Sequence, residues 1–354
     1  MGILKRGRLL SLWPVTPGLV TSGLEGCQAD SPSVETAAPT ADRPPLLTAQ
    51  ESTPIDDLSS QARTDSLPPS PLAVRGDLMI AGSNAMAPLV EAIAERFIDE
   101  GFSGSLTLER IGSREGFEVF CEKGADIVIA SRPISAEERQ ACAAAGQRPV
   151  ALAVGTDALA IVVSEDNRFL TEVTRSELAK IFTAEYWSDV RPDWPEELIR
   201  RTLPGPGSGA FRLLVDQVFK GNLESLLQAT NSDFSSEDED YLMQTLAIDP
   251  YAIALFSYAY YQGNRGTLRL ITVDGASPTN REQYPLLRTL FLYADADALG
   301  EAPQVSAFLS FFLTHVNEAI SQLGYFSLSQ TELNKSKTAL RAPLNNRISE
   351  ELPG

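Results

Sequence analysis

Three stretches of this sequence pair glycine with serine where a β-type run meets a helical one. Gly82-Ser83-Asn84-Ala85 follows the apolar run 78–81, and Gly112-Ser113-Arg114-Glu115-Gly116 follows the run 106–111. Gly207-Ser208-Gly209-Ala210 precedes the helical spacing Phe211, Leu214, Val215 and Val218. A helix that begins at such a turn leaves its first N–H groups unpaired at the positive end of its dipole, beside a hydroxyl that can also donate. That is an anion-binding device. One Gly-Ser turn is ordinary loop and N-cap chemistry, but three in one chain predict a converging anion site.

Other chemistries lack their residues. The only histidine, His315, lies beside an apolar helical stripe with no cysteine or carboxylate cluster near it, which reads as structural. There is no metal-ligand spacing and no Gly-rich phosphate loop ending in Lys-Ser/Thr, so neither a metal nor a cofactor is expected. Ser83, Ser113 and Ser208 are better explained as anion donors than as nucleophiles, because no base accompanies them. The formal net charge of −18 argues against nucleic acid and anionic membrane surfaces. It leaves room for a small anion, since local dipoles outweigh distant screened charge. The acidic run 236–240 reads as a solvated helix start, with Asp238 or Asp240 as site groups the sharper alternative.

The elements that must hold these turns follow a regular alternation. Runs 78–81, 106–111 and 126–130 read as strands, and Met86, Leu89, Val90, Ile93 and Phe97 carry helical spacing between the first two. Ser135 with Glu138, and Thr174 with Glu177, form capping boxes that open two further helices. A long β-rich run, 150–163, is interrupted by Gly155-Thr156-Asp157, and later strands are expected at 268–273 and 286–293. Val305, Phe308, Leu309, Phe312, Val316 and Ile320 make an amphipathic helix stopped at Gly324. Trp187 and Trp194 read as packing residues. Strands alternating with helices predict open, mostly parallel α/β sheets, whose ligands bind outside the carboxyl ends of the strands. All three Gly-Ser turns fall there.

Ahead of these elements, Lys5, Arg6 and Arg8 precede the apolar run 9–20, which Pro14 and Pro17 break. It is too short to span a membrane and reads as a signal segment over 1–27. That segment ends in the lipobox-like Leu24-Glu25-Gly26-Cys27, which would make Cys27 the lipidated mature N-terminus. The expected location is therefore outside the cytoplasm, in the periplasm or on the outer face of the cell membrane, held by a lipid. Residues 28–75 are rich in Pro, Ser and Thr and read as a disordered tether. Cys121 and Cys142 are either buried thiols or a disulfide, and export favours the disulfide, closing a loop of roughly 20 residues worth about 3 kcal/mol.

The ordered set of motifs resembles the substrate-binding proteins of phosphate ABC transporters. Its pieces are Gly82-Ser83-Asn84 with Pro88, Ile111-Gly112-Ser113, Asp126-Ile127 with Ala130-Ser131-Arg132-Pro133, and Trp187-Ser188-Asp189. Ser208-Gly209-Ala210-Phe211, the run 256–261, Tyr284-Pro285-Leu286 and Gly324-Tyr325 follow in the same order. The resemblance implies two α/β lobes of the type 2 periplasmic-binding-protein fold, joined by hinge strands, with residues 76–156 and 282–345 in the first, 157–281 in the second, and 346–354 as a tail. It implies a monomer that is not an enzyme, binds phosphate between the lobes and delivers it to an ABC-type permease. The alternatives are a binder or sensor of another tetrahedral oxyanion such as sulfate and, less favoured, a phosphoryl-hydrolysing enzyme. Carried over by position, the ligand set is Ser83, Asn84, Ala85, Ser113, Ser131, Arg132, Ser208, Gly209 and Ala210.

Three positions depart from the pattern. Arg132 stands where the best-known members carry an Asp that accepts the proton of hydrogen phosphate and so rejects sulfate. Asp126, Asp238 or Asp240 would have to replace that acceptor. Pro204 stands where an Arg is usual, leaving Arg114, Arg132 or Arg201 to supply the cation, with Arg114 slightly preferred. Ala210 replaces a Thr, losing a hydroxyl but keeping its N–H.

Overall fold

One strand runs through both halves of the molecule. In this computed structural model, which describes residues 70–227 and 239–351 with two-residue strands at 2–3 and 232–233, that strand is Pro149–Ser164. The signal segment beyond residue 3, Cys27 and the tether up to residue 69 lie outside the described residues, as do Glu237 and Asp238. Before it come β1 (Leu78–Gly82), α1 (Ala87–Asp99), β2 (Leu106–Arg110), α2 (Ser113–Cys121), β3 (Ile127–Ala130) and α3 (Ala136–Ala144). Strand Pro149–Ser164 is β4. Then follow α4 (Arg175–Ile181), β5 (Arg200–Thr202), α5 (Gly209–Gln217), α6 (Glu239–Ala247), β6 (Ala252–Ser257) and α7 (Tyr258–Gly263). β7 (Leu268–Val273), β8 (Leu287–Asp295), α8 (Pro303–Ala319) and α9 (Gln330–Glu351) complete the order.

β1 pairs in parallel with β2 and β3, as strand–helix–strand crossovers require. β8 then runs antiparallel to both β3 and β4. Past Ala158, β4 leaves β8 and pairs antiparallel with β6 and β7 instead, while β5 lies parallel to β6. The reversed ladders thus gather on β4 and β8, the strands that pass from one half to the other. The sheet is mixed for that reason.

β4 is continuous where the sequence suggested a break at Gly155-Thr156-Asp157. A register shift between Leu290 and Phe291 of β8 absorbs the irregularity. Gly155 is there because Ile320 packs on it: a Cβ would lie 2.3 Å from the Ile320 Cδ1.

The apolar side chains bury on either side of this crossing. One core takes residues from Val74 to Val154 and from Leu290 to Leu340, with α1 and α8 packed on β1 and β3. Another takes residues from Ala158 to Leu286, including the aromatic cluster of Phe169, Trp187 and Trp194. A smaller cluster under α2 and α3 holds Phe117, Phe120 and Tyr293 beside a Cys121–Cys142 disulfide, so the bridged alternative is the one the fold adopts. Both capping boxes form as the sequence predicts. His315 packs on Phe311 and faces Glu318, consistent with a structural role.

Both ends of the folded part reach further than the sequence suggests. Pro71 and Val74 are buried ahead of residue 76. At the other end α9 runs through residues 346–351, read from sequence as a tail. Its Leu333 and Leu340 are buried, and the Ser336 hydroxyl donates to the Ala153 carbonyl at 2.7 Å, so the helix is docked on β4. Among the described residues no helix is long and apolar enough to cross a membrane.

Candidate functional site

The carboxyl ends of β1 and β2 bring the first two Gly-Ser turns together. Gly82 has φ +136°, and a Cβ there would lie 2.1 Å from the Ile129 carbonyl oxygen, so only glycine lets the turn sit against β3. The Gly112 N–H donates to the Gly82 carbonyl at 2.9 Å and locks the second turn to the first. Ser113 then starts α2, and its Oγ accepts the Ser131 N–H at 3.2 Å. The Ser83 hydroxyl donates to Ser131 Oγ at 3.2 Å. Ser83, Ser113 and Ser131 are all buried, so these hydroxyls are held out of bulk water.

The third turn comes from the other half. Ser208 caps α5 by accepting the Phe211 N–H at 3.0 Å and is itself buried. Gly209 meets Ser131 so closely that a Cβ would stand 2.2 Å from the Ser131 Oγ and 2.5 Å from its carbonyl oxygen. The two halves are therefore in contact at this point. A small cavity lies there, lined by Ser83, Asn84, Ala85, Ser131, Ser208 and Ala210, with Leu242 and Leu255 as an apolar wall.

Its charged lining was not predicted. Arg288, on β8, reaches the cavity and is 6% exposed. Its Nε and Nη2 both donate to Asp157 Oδ2, at 3.0 and 2.7 Å, and its Nη1 donates to Ser131 Oγ at 3.3 Å. Asp157 and Arg288 are register partners on β4 and β8, the crossing strands. Burial pushes the Asp157 carboxyl upward, while the guanidinium and the neighbouring Ser257 hydroxyl pull it back. Glu239, the first residue of α6, also lines the cavity. Its Oε1 accepts the Ser257 N–H at 2.6 Å, and burial pushes its carboxyl up to about 8.

The other sequence candidates sit elsewhere. Arg114 is largely exposed, with its stem against Gly207 and its Nε on Glu118 at 3.1 Å. Arg132 is committed to Glu138 through both terminal nitrogens, at 2.8 and 2.6 Å, and lies over the Phe117 ring. Arg201 is buried in the second core, where its Nε donates to the Ile181 carbonyl at 2.6 Å and burial lowers it to about 10. None of the three lines the cavity. Of the expected acceptors, Asp126 takes the Met79 N–H at 2.8 Å, Asp240 is exposed and takes the Tyr260 hydroxyl at 2.6 Å, and Asp238 is outside the described residues.

Arg288 and Asp157 each carry a signal in the sequence. An Asp inside the apolar run 150–163 and an Arg inside the strand run 286–293 each contradict their surroundings, and two such residues on strands of one sheet are candidate partners. The set that results — hydroxyls, two helix N-termini, one guanidinium and an apolar wall — suits a small dehydrated anion. Among the described residues no group of His, Cys, Asp and Glu could hold a metal ion.

Two lobes whose helix starts and hydroxyls meet across one small cavity define a ligand-binding protein of the clamshell class. A profile of the PBP superfamily domain matches residues 52–316, and the chain belongs to that superfamily of periplasmic-binding proteins. It is 31% identical to the protein SphX of Synechocystis sp., over 76% of this chain and 83% of SphX. The phosphate-binding protein PstS of Staphylococcus saprophyticus is 25% identical over 75% of this chain and 84% of its own length. Among solved structures, a possible phosphate-binding protein of Planctomyces limnophilus is 27% identical with a TM-score of 0.56, covering 77% of this chain and 99% of that one. An ABC-type phosphate transport receptor of Vibrio cholerae shares the fold at 20% identity and TM-score 0.57, over 71% and 100%.

Proposed function

We propose that this protein binds inorganic phosphate between its two lobes without catalysis and delivers it to an ABC-type permease. The observation that carries this reading is the convergence of the Ser83, Ser131 and Ser208 hydroxyls with Arg288 on one small cavity. Two turns come from one core and one from the other, so a ligand held by all of them favours the closed arrangement. Each charge-assisted bond contributes about 1.5–3 kcal/mol, so a few together give tight binding with no covalent step. The ligand set comprises Ser83, Asn84, Ala85, Ser113, Ser131, Ser208, Gly209 and Ala210, with Arg288 as its cation. Arg114 and Arg132 fall to supporting places. The lobes divide at β4, near residue 157, and return at β8.

The Staphylococcus relative is a phosphate-binding protein and the Vibrio one an ABC-type phosphate transport receptor, which supports phosphate as the ligand and a permease as the partner. A monomer anchored through Cys27 outside the cytoplasm completes the reading, and metabolic labelling with a radiolabelled fatty acid tests the anchor. Titration calorimetry of the full chain with sodium phosphate tests the binding, and hydrolysis of p-nitrophenyl phosphate tests the absence of catalysis. Saturable binding without turnover is the expected result. Turnover that disappears in Ser113→Ala would replace this reading with a phosphoryl-transfer enzyme.

A further inference from the structure

Ala85 and Glu239 form a wall shared by two cavities. One is the small anion cavity, and the other is open and has a volume of about 570 Å³. An inorganic oxyanion needs none of that second space, which falls within the roughly 300–1,000 Å³ that organic ligands occupy. The halves already touch at Gly209 and Ser131, and again where Gly324 packs against Ala259 and the stem of Gln262. The opening therefore belongs to the closed arrangement and is not a gap between parted lobes.

The chemistry of its lining is that of amides and hydroxyls. Gln262 ends α7 with Gly263, Asn264 follows, and the loop after α8 supplies Ser321 and Gln322. The Asn264 Nδ2 donates to the Tyr260 carbonyl at 3.1 Å, which orients that amide and leaves its Oδ1 to accept. Amide and hydroxyl side chains both donate and accept, as the hydroxyls of an alcohol do. Leu323 and Ala259 add apolar surface for a carbon skeleton. Among the described residues no Lys, Arg or His lines this cavity, so a second anionic group would find no counter-charge there.

Resting on the phosphate reading above, we propose that the site also takes phosphate monoesters of small polyhydroxylated alcohols. The phosphoryl group occupies the anion cavity, and the ester oxygen carries the organic group past Ala85 and Glu239 into the open cavity. A monoester keeps three unesterified oxygens and a charge of about −1.5 to −2 at pH 7. The buried hydroxyls and Arg288 therefore meet the same groups that inorganic phosphate presents. The hydroxyls of the alcohol bond with Asn264 and Gln322, which inorganic phosphate leaves to water. A diphosphate reaches the same space but puts a second charge where no cation faces it.

The test is titration calorimetry of the full chain with sodium phosphate, sodium pyrophosphate and sn-glycerol 3-phosphate freed of inorganic phosphate, on wild type and Asn264→Ala/Gln322→Ala. The ester should bind wild type within about tenfold of inorganic phosphate, and pyrophosphate at least tenfold more weakly than the ester. The double variant should weaken the ester at least fivefold, the effect of losing two neutral hydrogen bonds. Its affinity for inorganic phosphate should stay within about twofold, which also shows that it folds. Phosphate binding without ester binding overturns the proposal and leaves the anion site standing. Ester binding that the double variant does not change, or a loss of both ligands together, overturns the placement of the organic group in the open cavity. Pyrophosphate bound as tightly as the ester overturns the class of ligand. Binding of none of the three overturns the oxyanion reading itself.

Discussion

Arg288 places two of its nitrogens on a single oxygen, Asp157 Oδ2, and its third on the Ser131 hydroxyl. The guanidinium thus has one fixed orientation, set by a carboxylate on the neighbouring strand, before any ligand arrives. Both partners are essentially buried. Breaking such a pair leaves an uncompensated charge and costs about 3–5 kcal/mol, whereas replacing both members by apolar groups is often nearly neutral. We therefore expect Arg288→Ala to lose about 3–5 kcal/mol in a denaturant titration and to abolish phosphate binding. The double variant Asp157→Leu/Arg288→Met should recover most of the stability and none of the binding. Recovered binding would remove Arg288 from the ligand set.

The alternation of strands and helices was plain in the sequence because each buries one face, and periodicity records that burial directly. The Gly-Ser turns were equally visible, since local backbone chemistry fixes them. The cation was harder. Arg114 and Arg132 flank the turns in sequence, but each lies a few residues from a glutamate, Glu118 or Glu138, that takes its charge. Arg288 is more than 150 residues from Ser131 and reaches it only through the pairing of β8 with β3 and β4. Glu239 was hidden inside an acidic run whose ordinary reading is a solvated helix start. Which member of that run turns inward depends on the Ser257 amide, and nothing local to the run states it.

Arg114 offers a sharp contrast with Arg288. The sequence alone made it the favoured cation, and its loss would then weaken binding at least tenfold. Its guanidinium instead pairs with Glu118 one helical turn away, and both side chains are more than half exposed. An exposed pair of this kind is worth about 0–1 kcal/mol. We expect Arg114→Ala to leave phosphate affinity within about threefold, read by the same calorimetry. A tenfold loss would restore it to the site.

The Cys121–Cys142 disulfide ties the end of α2 to α3, on the side of the sheet away from α1. With a sequence separation of 21, its removal should cost about 3 kcal/mol in the chain-entropy picture. The anion turns are at the other end of α2, held by Gly82 and Ser131 rather than by the bridge. Reduction should therefore lower the melting temperature by several degrees while phosphate affinity stays within about threefold. A large affinity loss at constant stability would show that α2 transmits the bridge to Ser113.

The raised Glu239 carboxyl also makes stability depend on pH. Its folded value, about 8, lies above its ordinary value of 4.5. Between those two the folded state holds a proton that the unfolded state has released. Its contribution is then full at the acid end of the window and is lost as pH rises through about 8. Burial pushes Asp157 the same way. The ligand-free protein should accordingly melt at progressively lower temperature from pH 5 to pH 9, and Glu239→Gln should flatten that slope. A slope of the opposite sign would show Glu239 ionised in the empty site.

Two glycines of the third turn should respond differently to the same methyl group. At Gly209 a Cβ would fall 2.2 Å from Ser131 Oγ and 2.5 Å from its backbone oxygen, and a strand end cannot move aside. At Gly207 the nearest atoms are the Arg114 Cβ and Cδ, at 3.0 and 3.2 Å, a contact relieved by a far smaller shift than the one at Gly209. Neither substitution reaches the apolar core of either half. Gly209→Ala should therefore keep the two halves apart where Ser131 and Ser208 must share a ligand, weakening phosphate binding at least tenfold with little change in melting temperature. Gly207→Ala should bind within about threefold of wild type, since its contact with the Arg114 Cβ at 3.0 Å needs a much smaller displacement. Scattering in the presence of phosphate distinguishes the cause: Gly209→Ala should keep a larger radius of gyration than wild type. If it compacts fully and still binds weakly, the lost affinity comes from the α5 N–H groups rather than from closure.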